Sequence, residues 1–73
     1  MAKSGAYSVS YILPTDEHIH VKTFDGENSD VNLVKASNRA QRIYDVAMAE
    51  QHFGLEVLIT DEFDNEIERL IVS

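Results

Sequence analysis

From Ala6 to Leu13 apolar and polar residues alternate, with Tyr7, Val9, Tyr11 and Leu13 on one side and Ser8 and Ser10 on the other. That period of two is the mark of a half-buried strand. Pro14, Thr15 and Asp16 break it, and from His18 to Phe24 the alternation resumes, Ile19 and Val21 against His18, His20 and Lys22. The pattern predicts an antiparallel hairpin closed through residues 14–17. A polar loop follows from Asp25 to Asp30, and the run Val31 to Val34 either extends the sheet or leads into a helix.

The period then changes. Ala40, Ile43, Tyr44 and Ala47 recur at i, i+3, i+4 and i+7, Ser37 stands where an N-cap belongs, and Gly54 supplies a helix stop. One amphipathic helix is expected over residues 38–52, with Ile43 and Ala47 facing the sheet and Ala36, Ala40 and Ala47 allowing close approach. Leu55 to Thr60 and Ile67 to Val72 are rich in β-branched residues and flank a turn-forming segment, Asp61 to Glu66, so a second hairpin is expected. The fold class that follows is α+β: an antiparallel sheet of about four strands with one helix on one face, in the order ββαββ. At 73 residues the chain is expected to form a single domain over residues 1–73.

Composition narrows the function. A chain this short buries only about 60% of its unfolded surface, which leaves little room for an enclosed catalytic pocket and disfavours an enzyme. Its apolar fraction of 44% and mean hydropathy of -0.23 suit a folded domain rather than a disordered acidic tail. The absence of cysteine points to a reducing, cytoplasmic setting, and neither a signal peptide nor a membrane span is expected. Thirteen acids against six bases give a net charge of -7 and a pI of 4.6, which disfavours direct contact with nucleic acid. The charge is uneven. Residues 1–49 hold six acids and five bases, whereas residues 50–73 hold seven acids and one base.

No Ser/His/Asp order, cysteine nucleophile or glycine-rich phosphate loop is present, so no catalytic residues and no cofactor are expected. His18 and His20 share a strand face and His52 would have to join them to hold zinc, a pattern better explained as solvated histidines. The segment Asp61 to Glu66 lacks the glycine and spacing of a calcium loop. Lys35, Arg39 and Arg42 form a small basic strip on the helix, suited to an acidic partner or to Asp16 and Asp45. The strongest candidate is the acidic hairpin: Glu56, Asp61, Glu62, Asp64, Glu66 and Glu68, with Phe63 in their midst. Such carboxylates solubilise an edge, or they steer toward a basic protein surface on which one aromatic residue anchors. If Phe63 instead continues the face of Leu55, Val57 and Ile59, it belongs to the core.

The passage from Ala36 and Ser37 through Ala40 and Ala47 to Phe53, Gly54, Leu55, Glu56 and Val57 resembles the helix-to-strand passage of very small phage-encoded inhibitors. Several anti-CRISPR proteins of type I systems and the small RNA polymerase inhibitor of T7-like phages are similar in size and in strand, strand, helix, strand order. The resemblance lies in size and element order and assigns no residue a role. It implies stoichiometric inhibition of a nucleic-acid-handling complex in the host cytoplasm, the acidic surface occupying the basic site where DNA or RNA would bind. The residues leave two other readings open: a self-associating or accessory subunit, a homodimer among its forms, that adds its sheet edge near Val72 to a partner, and a metal protein built on the three histidines.

Overall fold

The computed structural model describes residues 5–73 and arranges them as β1 (Tyr7–Ile12), β2 (His18–Phe24), α1 (Ser29–Ala49), β3 (Glu56–Asp61) and β4 (Glu66–Ile71). The strands form one antiparallel sheet in the order β2-β1-β3-β4, with α1 packed on one face. The ββαββ order and the α+β class therefore stand as the alternating patterns predict. The central ladder sets Val9 against Ile59 and Tyr11 against Val57, which places these side chains together under the helix.

The helix differs from its expected bounds. It starts nine residues earlier than position 38, at Ser29, and ends at Ala49 rather than at residue 52. Its N-cap is Asn28, whose side chain accepts the Val31 amide at 2.9 Å, and Ser37 lies within the helix. The buried stripe begins at Asn32, then runs through Ala36, Ala40 and Ala47. A polar residue at the head of the stripe hides the first two turns from any hydrophobic periodicity. Asn32 is fully buried because all its polar atoms find partners: Nδ2 donates to the carbonyls of Gly5 and Glu27, and Oδ1 accepts from the Glu27 amide.

The helix stop also differs. Gln51, at φ 61°, takes the left-handed position that Gly54 was expected to supply. The amide of His52 donates to the Ala47 carbonyl and that of Gln51 to Met48, a Schellman closure. Gly54, at φ 92°, serves instead to start the second hairpin, its amide donating to the Val72 carbonyl at 2.7 Å.

Val9, Val57, Ile59, Leu55 and Val72 fill the core beneath the small side chains of α1, with Ile43 and Tyr44 packed at its margin. Ile43 and Ala47 thus face the sheet as expected. Leu58 is buried too, but it pairs with Ser10 and Arg69 on the sheet face that carries no helix.

Candidate functional site at the second hairpin

Both hairpins close through the same three-residue loop. In the first, the Leu13 amide donates to the Glu17 carbonyl and the Asp16 amide to Leu13; in the second, the Asp61 amide donates to Asn65 and the Asp64 amide to Asp61. The last loop residue is left-handed in each, Asp16 at φ 71° and Asp64 at φ 64°, a conformation that aspartate tolerates better than most side chains. Superposed in this way, Glu62, Phe63 and Asp64 correspond to Pro14, Thr15 and Asp16.

The seven residues of the acidic candidate have separate places. Asp61 is built into the turn: one carboxylate oxygen accepts the amides of Phe63 and Asn65, both at 2.8 Å, and the other accepts the Asn65 side chain at 3.1 Å. The Asn65 backbone amide above all, with the Asn65 side chain and the Phe63 amide, outweighs slight burial and holds this carboxyl below its ordinary value of 3.8. Glu66 receives a two-pronged contact from Arg69, at 2.8 and 3.1 Å, while the remaining Arg69 nitrogen bonds Glu56. The Arg69 hydrogen bonds lower Glu66, and those of Glu66 and then Glu56 raise Arg69. These two carboxylates are therefore matched by one guanidinium on the helix-free face.

Glu62 accepts the Ala6 amide at 3.3 Å and otherwise projects into solvent beside Asp64. Glu68 shares a register position with Ile59, so it belongs to the opposite sheet face and stands apart from the Arg69 cluster. Phe63 is at the tip and 75% exposed, which removes it from the core. What the hairpin presents as one surface is thus Glu62, Phe63 and Asp64, with Glu68 on the flank.

The helix-free face holds a second group of polar residues. Ser8, Ser10, His18, His20, Thr60 and Asp64 line a shallow hollow of about 340 Å³. His18 bonds Ser10 at 2.9 Å, His20 bonds Thr23 at 3.3 Å, and Thr23 bonds Ser8 at 2.9 Å. Alternation already placed Ser8 with Ser10 and His18 with His20, but bringing the two pairs together required the β1–β2 register. His52 lies elsewhere, bonded to Glu50 at 3.1 Å. The three histidines are not gathered, and no cluster of three metal-ligating side chains occurs among the described residues.

The basic strip splits as well. Lys35 pairs with Glu27 at 3.7 Å, whereas Arg39 and Arg42 have no carboxylate within ion-pair distance among the described residues, and Asp45 accepts from Gln41 instead. No described helix is long and apolar enough to cross a membrane. Compared with known proteins, the chain matches no family model, no curated protein and no solved structure.

Proposed function

We propose that this chain is a non-enzymatic binding protein whose second hairpin docks on a basic protein surface, in the manner of a phage inhibitor that blocks a nucleic-acid-handling complex in the host cytoplasm. The observation that carries the reading is Phe63, 75% exposed at the tip of a turn whose twin has Thr15 in the same place. The turn has no need of an aromatic there. An exposed ring held on a rigid loop between two carboxylates has the form of an interface anchor within a steering field. Edge pairing has less support, because edge strand β4 carries Glu66, Glu68 and Arg69, charges of the kind that discourage strand addition.

Capture from a lysate of the source host tests this. Phe63→Ala should leave stability within about 0.5 kcal/mol of the parent, because the ring is exposed. It should nevertheless weaken retention of the partner by about 2 kcal/mol or more through faster dissociation. Glu62→Gln with Asp64→Asn should slow association and reduce its salt dependence. If both variants retain the same proteins with unchanged kinetics, the hairpin is a solubilising edge and the reading fails.

A further inference from the structure

A groove of about 490 Å³ runs beside the C-terminal half of α1, floored by Ile43, Val46, Ala47 and Leu55 and carrying Arg39 and Arg42 on its rim. At its far end Glu50 and His52 are bonded to each other. The two arginines are unusual in this chain. Lys35 is paired with Glu27, Arg69 with Glu56 and Glu66, and Lys22 sits 5.6 Å from the Phe24 ring, yet Arg39 and Arg42 have no ion-pair partner among the described residues. In a molecule of net charge -7, two neighbouring uncompensated guanidiniums above an apolar floor define a socket for an apolar group flanked by carboxylates.

The hairpin tip is such a group: Phe63 between Glu62 and Asp64. Leu55 in the wall of the groove and Glu62 at the base of the tip flank opposite ends of β3, whose six residues span about 20 Å, and the contact is therefore assigned to two molecules. We infer that the socket receives the hairpin tip of a second copy of the chain, Phe63 entering above Ile43 and Val46 while Arg39 and Arg42 meet Glu62 and Asp64. This rests on the hairpin tip being a binding element, as proposed above, and names a partner for it. Because plug and socket are different surfaces, the contact is head-to-tail, and it extends from copy to copy unless a ring closes.

Sedimentation of the purified chain over a concentration series is the test. The mass of the parent should climb from 8.2 kDa with concentration. Phe63→Ala, which removes the plug, and Arg39→Glu with Arg42→Glu, which reverses the socket, should each weaken association at least about tenfold. Mixed together, the two variants retain one working plug and one working socket, so they should form a one-to-one dimer and nothing larger. A parent chain that stays at the monomer mass throughout overturns the inference, as does a mixture that fails to dimerise when both variants melt like the parent. A monomeric parent that still captures a basic partner through Phe63 would sink this inference alone and leave the proposed function standing.

Discussion

The two hairpin turns share a backbone and hold it by different means. In the first, Pro14 presets the dihedral at the second position of the turn, and Leu13 anchors the loop by packing on the core. In the second, no proline is present and the Asp61 carboxylate does the equivalent work by gathering the amides of Phe63 and Asn65. The first solution uses no titratable group at the base of its loop, where Leu13 stands in the place of Asp61. The second is titratable, and it leaves its tip free to carry Glu62 and Phe63. The difference shows that the second loop is held from its base, so the hydrogen bonds of the turn set no requirement on the side chain of Phe63.

Removing the base should have the largest effect. Asp61→Ala deletes three hydrogen-bond contacts, and its cost should depend on pH in a defined direction. The folded carboxyl lies below its ordinary value, so its contribution is present above that value and fades as pH falls through the folded one. Urea unfolding of parent and variant from about pH 7 to about pH 2 should therefore show a gap that is widest at neutral pH and narrows in acid. A gap independent of pH would mean that the carboxylate charge does not hold the turn.

Next in size, the left-handed aspartates should respond alike in both loops. Asp16→Gly and Asp64→Gly each relieve a positive φ, and each should raise stability by up to about 1 kcal/mol, additively in the double variant. Unequal effects in thermal melts would show that the turns are less similar than their hydrogen bonds. Smallest, transplanting the first solution into the second by Glu62→Pro should add about 0.4 to 1 kcal/mol by restricting the unfolded chain. A loss instead would mean that the Glu62 contact with the Ala6 amide matters more than loop stiffness.

Alternation placed β1 and β2 within a residue or so, and β-branched content around a turn segment placed β3 and β4 as closely, although the burial of Leu58 on the helix-free face was not legible. The first turns of the helix were not legible, since Asn32 occupies a stripe position where periodicity seeks an apolar side chain, and its burial depends on the carbonyls of Gly5 and Glu27. The acidic hairpin was visible as a cluster of charge, but its division was not. Which carboxylates meet Arg69 and which point outward is settled by β3–β4 register and by the bulge between Ile59 and Thr60. The Arg39 and Arg42 pair was visible as a strip, whereas the groove beside it forms only when Leu55 is brought under the helix.

The β1–β3 ladder has a consequence for how the chain comes together. Each hairpin is closed by neighbours in sequence, but Val9 meets Ile59 fifty positions along the chain, and among the described residues this ladder is the strand pairing that joins the two halves. Bringing such distant segments together costs about 3 to 4 kcal/mol of chain entropy, more than either short turn demands. Part of that span is taken up by a 21-residue helix, which stiffens the connection and lays Ala36, Ala40 and Ala47 over the place where the ladder forms. The helix thus acts as a splint across this join, and the sheet becomes a single structure only when it is made.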